Sequence, residues 1–279
     1  MVPAPFQSKI GKAYDLYFIS IKNTRIHCRV MIPTTKEKTP ALLMFHGYRG
    51  TSKDFSAMLP YVSEGYSVFA LDCRGQGGFS QDVFDGNGNT IDGHLTRGIV
   101  DAMNGDKSHI YFRNVFLDTV QLHRCVTSFD FIDKTRIGTT GNSQGGGLAV
   151  ACAALCPTIK CLAPIHPFLS DYKRVWEINI HKAYQEIYLY FRHYDPHHLR
   201  EDEFFQALGY IDIKNMAKWI QAKTFFSTGL QDHTCPPSST FAVYNNMKCE
   251  RKMNIFYDFD HENMNGVDDE IFTFFKENL

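Results

Sequence analysis

IGTTGNSQGGGLAVACAAL, residues 137–155, is the stretch on which the fold of this chain turns. Its first part is a β-prone run ending in glycine, its last part an alanine-rich run of helix formers, and Gly141-Asn142-Ser143-Gln144-Gly145 joins them. A serine among small residues at a sharp strand-to-helix turn has the form of a nucleophile elbow, in which a strained backbone holds the hydroxyl clear of the sheet. Gly146 and Gly147 add room for close helix–strand approach. A glycine-rich phosphate loop is the rival reading, but it would end in Gly-Lys-Ser/Thr, and no Lys follows here.

Outward from the elbow, the apolar runs at 41–46 (ALLMFH) and 67–71 (SVFAL) lack polar alternation, as strands buried on both faces do. Between them Phe55, Met58, Leu59 and Val62 share one face of a helix predicted over 54–64. Residues 14–20 and 25–32 alternate with polar residues and read as an antiparallel pair at a sheet edge. Residues 75–105, rich in Gly, Asn and Asp, read as a long functional or contact loop. A long helix is predicted over 109–133, with strands at 136–140, 160–165, 223–228 and 253–257. Helices are predicted over 144–156, 212–221 and 238–246 and from 267 onward. Residues 166–210 are helical in pattern and aromatic, with Trp176, Tyr184, Tyr188, Tyr190, Phe191, Phe204 and Phe205. This alternation predicts one α/β domain over 1–279, a doubly wound, mostly parallel sheet with a helical cap insertion near 166–210.

Composition narrows the function. Lys and Arg number 29 against 30 Asp and Glu, a net charge of −1, so no general field draws nucleic acid or an anionic membrane. No run of about 18 apolar residues suits a membrane span. The opening MVPAPFQSKIGK has no apolar core of an export signal, so a cytoplasmic location is expected. The eight cysteines then read as reduced thiols. They form no Cys-x-x-Cys pair, and no metal site is expected.

A serine needs a base and an orienting acid, which in this strand–elbow–helix arrangement follow in the order acid, then histidine. Asp232 lies in the loop after strand 223–228 and His261 in the loop after strand 253–257, both at strand ends. Ser143, Asp232 and His261 are therefore the candidate triad. Asp171, after the preceding strand, is the substitute acid. His233, directly after the acid, is expected to point elsewhere, His46 sits at an earlier strand end, Asp260 and Glu262 sit too close to the base to fold back onto its ring, and His193, His197 and His198 read as polar cap residues. Acyl transfer also needs two amides for the oxyanion. Those of Gln144, after the nucleophile, and Tyr48, in the loop that follows Phe45-His46-Gly47, are the candidates.

Arg74-Gly75-Gln76, the Gly-x-Ser-Gln-Gly of 141–145 and His261-Glu262 occur in that order, with FHGYRG, RGQGGFSQD, GHLTRGI, FLDTVQL and DHTCPPSSTFAVYN between and around them. From about residue 14 to its end the chain resembles the acetyl xylan esterase/cephalosporin C deacetylase family, carbohydrate esterase family seven. The resemblance implies an α/β-hydrolase fold and a serine esterase, without cofactor, that removes acetyl groups from sugars and other small alcohols. It implies Ser143, Asp232 and His261 as the triad, the Tyr48 and Gln144 amides as the oxyanion hole, and homo-oligomers, hexamers with active sites facing an internal cavity. Two positions depart from the family pattern: Asn142 stands where Gly is common, and Asp260 where Gly usually precedes the histidine. Arg74, with Gly75, Gln76 and Glu262 as supporting motif residues, reads as a loop anchor through a carboxylate in preference to an anion binder. The competing functions are a general short-chain carboxylesterase, a serine peptidase, and an inactive hydrolase fold used as a binding module. An acetyl-specific site is expected to have bulky acyl walls, with Tyr48 and aromatics of 166–210 as candidates.

Overall fold

The computed structural model of the chain describes residues 1–83 and 94–279. Among the described residues nine strands form one sheet: β1 (Val2–Pro3), β2 (Gly11–Ile19), β3 (Arg25–Pro33), β4 (Thr39–Phe45), β5 (Ser67–Leu71), β6 (Ile132–Asn142), β7 (Cys161–Ile165), β8 (Lys223–Gly229) and β9 (Arg251–Phe256). Their order is β1-β2-β3-β5-β4-β6-β7-β8-β9. The first three strands run antiparallel and the six from β5 to β9 are parallel. The α-helices are α1 (Phe55–Ser63), α2 (Ile99–Met103), α3 (Tyr111–Ser128), α4 (Gln144–Leu155), α5 (Tyr172–Glu177), α6 (Gln185–Tyr194), α7 (Glu201–Gly209), α8 (Ile213–Met216), α9 (Pro237–Asn246) and α10 (Val267–Asn278).

The unbroken apolar runs lie where two-faced burial requires them: every residue of β4 and β5 is buried. Alternation along β4 sorts side chains between two cores. Leu42 and Met44 pack with Met58 and Val62 of α1 and Ile271 and Phe275 of α10. Ala41, Leu43 and Phe45 pack on the opposite face, in the cluster that holds α3 and α4. Tyr172, Tyr184, Phe191 and Phe204 of the insertion belong to that same second cluster.

Several boundaries differ from those predicted. The helix expected over 109–133 ends at Ser128, and β6 already begins at Ile132. Thr127 and Ser128 hydroxyls donate to the carbonyls of Arg124 and Cys125, and Phe129 leaves the helix with extended backbone to stack on Phe69 and Phe131. Ile132 then pairs with Thr39 of β4, so sheet pairing overrides local helix propensity. The helix expected over 212–221 is reduced to α8 and a 3-10 turn, Ala217–Trp219. Of the loop predicted over 75–105, residues 84–93 lie outside the described residues, and the rest contains α2.

Candidate active site

Parallel strands bring their carboxyl ends to one edge, where β4, β6, β7, β8 and β9 release the loops that carry Tyr48, Ser143, His166, Asp232 and His261. Ser143 has φ 55 and ψ −121, a backbone that L-residues enter only under constraint. The constraint is visible. Its amide donates to the Ile165 carbonyl at 3.0 Å, and its own carbonyl accepts from the Phe168 amide at 3.0 Å. Gly145 has to be glycine, because a Cβ there would lie 2.1 Å from the Phe45 carbonyl oxygen.

Ser143 Oγ lies 3.0 Å from His261 Nε2, and His261 Nδ1 lies 2.8 Å from Asp232 Oδ2. Asp232 is 3% exposed, and its other oxygen accepts from the Thr234 and Cys235 amides at 2.8 and 2.7 Å. Asp260 Oδ1 accepts from the amides of both His233 and His261, at 2.7 and 2.8 Å, and so joins the loop of the acid to the loop of the base. The substitute acid is occupied elsewhere: Asp171 pairs with Lys214, and its amide donates to Asp212. His46 is held between the Gly47 carbonyl and the Cys73 amide.

The amides of Tyr48 and Gln144 have no acceptor among the described residues, and Gln144 opens α4 with the helix dipole behind it. Gln76 links the two. Its Oε1 accepts from the Arg49 amide at 2.8 Å, and its Nε2 donates to Gln144 Oε1 at 2.7 Å. The preceding Gly75 has φ +61, and a Cβ there would meet the Asp82 side chain. Arg74 is 1% exposed and grips Asp118 with two bonds, Nε and Nη2 at 2.7 and 2.6 Å. Its charge is thus spent within the fold. Glu262 is exposed, and its carboxylate accepts from the Asp260 amide at 3.2 Å.

Sequence reasoning missed two residues. His166, first after β7, is 3% exposed and lies against the His261 ring, centroids 4.4 Å apart, with its Nδ1 unpartnered. Its position at a strand end was the available signal. Burial and the neighbouring His261 push its pKa down to about 4. His166, Asp232 and His261 are close enough to share a metal ion. An ion there would have to take a His261 nitrogen from Ser143 or from Asp232.

The second is Glu186 of α6, a buried carboxyl that accepts from the Tyr48 hydroxyl at 2.7 Å and from the His94 and Thr96 amides at 3.1 Å each. Burial pushes its pKa up to about 7, against these donors, which favour the ionised form. Between about 4.3, where a free Glu titrates, and about 7, the folded chain keeps a proton that the unfolded chain has released. The stability from this group is therefore full at low pH and is lost as pH rises through that window. Glu186→Gln retains an acceptor for Tyr48 but sets an NH2 against the Thr96 amide, and it is expected to lower kcat about tenfold by displacing the Tyr48 loop. The stability margin of the parent over this variant is expected to narrow from pH 5 to about 7 and then level off. Thermal unfolding across that range tests this, and a constant margin would remove Glu186 from the account.

The parallel sheet, the strained serine before a helix and the acid–histidine pair on the following strand ends define the α/β-hydrolase fold. At 17% identity an acylaminoacyl peptidase of Pyrococcus horikoshii shares that fold, with a TM-score of 0.67 over 97% of this chain and 41% of the other. The acetyl xylan esterase (AXE1) profile matches residues 1–279, and the chain belongs to that family of carboxylic ester hydrolases. It is similar to acetyl xylan esterase 1 from Thermoanaerobacterium sp. JW/SL YS485, with 46% identity, 99% of this chain and 86% of the other covered, and a TM-score of 0.95. The acetyl xylan esterase from Paenibacillus sp. R4 gives 34%, 99%, 87% and 0.94. Acetyl esterase Axe7A of Xylanibacter ruminicola is 25% identical over 84% of this chain; the chain spans about half the length of that relative, 52%.

Proposed function

We propose that this chain is a serine esterase that removes acetyl groups from sugars and other small alcohols. The observation that carries the reading is the unbroken relay from Ser143 Oγ through His261 to Asp232 at the head of α4. In this reading His261 Nε2 takes the hydroxyl proton as Ser143 Oγ bonds to the acetyl carbon. The amides of Tyr48 and Gln144 hold the oxyanion, and Asp232 holds Nδ1–H and so fixes the tautomer. The alcohol then leaves with the proton from Nε2, and water repeats the steps on the acetyl-enzyme. Arg74, Gly75 and Gln76 hold the loops in register.

Acyl selectivity rests on packing. Tyr48 lies against Phe168 and Phe112, ring centroids 5.9 and 6.3 Å apart, and Phe168 against Tyr184 at 4.7 Å. Overpacking such a wall costs about 1–3 kcal/mol, which exceeds the ~0.8 kcal/mol gained per buried methylene. With one leaving group at fixed pH, kcat/KM is expected to fall at least about tenfold from acetyl to butyryl esters. A rate that rises with chain length would leave a general carboxylesterase. Cephalosporin-type acetates carry the same reacting group and fall within the reading.

A single domain over 1–279 suits the core that the insertion shares with α3 and α4. Eight unpaired cysteines suit a reducing compartment such as the cytoplasm. Tyr194, Leu199, Tyr210 and Trp219, large and exposed, suit assembly with further copies of this chain.

A further inference from the structure

His166 is a polar group beside the triad that the ester chemistry leaves unused. It is 3% exposed, and its Nδ1 has no partner in the fold. It leaves β7 with φ 29, held there by its amide, which donates to the Ser227 carbonyl at 2.8 Å. A buried, fixed and unsatisfied imidazole nitrogen gains from a bound group what the fold does not supply. Its neighbours say which group. His166, Asp232 and His261 each bring one ligating atom within 4.8 Å of the other two. Two imidazoles and a carboxylate make a three-ligand zinc set that leaves the fourth place to water. Mg²⁺ and Ca²⁺ seek six or more oxygen ligands and suit this set poorly. Ligands on a tetrahedral zinc ion stand about 3.4 Å apart, so the three atoms must draw in by roughly 1 Å. The His261 side chain, 20% exposed, is the member that faces solvent and can shift.

An approach route is open. His166 and His261 both stand in the wall of a cavity of about 640 Å³ between α1 and α10. Glu262, Asp268 and Asp269 line the same cavity against Lys53, an acidic excess that draws cations inward. We propose that His166, Asp232 and His261 form an inhibitory site for a zinc-like divalent ion, which enters through this cavity and silences the esterase. Taken up at His261 Nδ1, the ion replaces the proton between that nitrogen and Asp232 Oδ2, now 2.8 Å apart. The displaced proton moves to Nε2, which then faces Ser143 as a donor. Taken up at Nε2, the ion itself stands between the ring and Ser143 Oγ. Either way no base remains for the hydroxyl proton. The loss of rate rests on the deacetylase reading, with His261 as base; the binding of the ion does not.

The test reads rate and binding separately. Parent, His166→Phe and His166→Asn are titrated with ZnCl₂ during hydrolysis of 4-nitrophenyl acetate, each against its own metal-free rate, with MgCl₂ as control. The parent is expected to lose nearly all its rate to zinc, to recover it with EDTA and to ignore magnesium. Loss of a ligand costs at least as much as loss of a group that orients one, so the half-inhibiting zinc concentration is expected to rise about tenfold or more in both variants. Asparagine tolerates positive φ, so His166→Asn keeps the test decisive if His166→Phe does not fold. Co²⁺ uptake, followed by visible absorption, needs no activity. One ion per chain with the weak bands of nitrogen and oxygen ligation is expected in the parent, and its loss in both variants. Equal zinc sensitivity in the variants, or the intense near-ultraviolet band of thiolate ligation, places the ion on other residues and overturns the proposal. A parent whose rate zinc leaves untouched overturns it as well. A metal-free parent that does not hydrolyse the ester, yet binds Co²⁺ through His166, overturns the deacetylase reading while the ion site stands.

Discussion

Ser143→Ala is expected to fold as the parent does and to hydrolyse acetyl esters about 10⁵–10⁶-fold more slowly. The hydroxyl's described partner is His261 Nε2 at 3.0 Å, so its removal opens no core cavity and leaves the elbow's backbone bonds in place. What remains is stabilisation by the oxyanion amides and substrate positioning, which act on the attack of water. Steady-state rates beside a circular dichroism melt check both halves of the expectation. A variant that keeps its fold and more than about a hundredth of the parent rate removes Ser143 as nucleophile.

Asp232→Asn is the second large effect, and its geometry can be derived. Asp232 Oδ1 accepts from two amides, Thr234 and Cys235, while Oδ2 faces His261 Nδ1. An asparagine keeps its carbonyl toward the two amide donors and turns its NH2 toward the ring. Nδ1 must then accept, the proton moves to Nε2, and the nitrogen facing Ser143 can no longer take the hydroxyl proton. A loss of about 10³–10⁴ in kcat is expected, with the ground-state site nearly unchanged. The ion pair of Asp171 with Lys214 keeps that residue from replacing the acid. Rates within about tenfold of the parent would contradict the tautomer argument.

The parts of this site legible in the sequence are those that strand ends mark. Apolar runs without alternation locate β4 and β5, the strand–helix alternation that follows places the later strands, and Ser143, Asp232 and His261 then fall at carboxyl ends of the sheet. Glu186 could not be read this way. Its partners Tyr48, His94 and Thr96 lie 138, 92 and 90 positions away, and only the packing of α6 brings them together. The exit of α3 was obscured for the same reason, since it is the pairing of Ile132 with Thr39 of β4, distant in sequence, that opens β6 soon after the helix ends at Ser128. His166 occupies a strand end but belongs to no motif, so only its contact with His261 singles it out.

The central claim is that one serine, activated by one histidine, carries the acyl group. Labelling with an acyl-like fluorophosphonate, followed by intact and peptide mass measurement, tests it most directly. The account predicts one adduct per chain, on Ser143, formed in step with loss of acetyl esterase activity, absent from Ser143→Ala and much slower in Asp232→Asn. An adduct on another residue, or full acetyl ester hydrolysis by a protein labelled at Ser143, would contradict it.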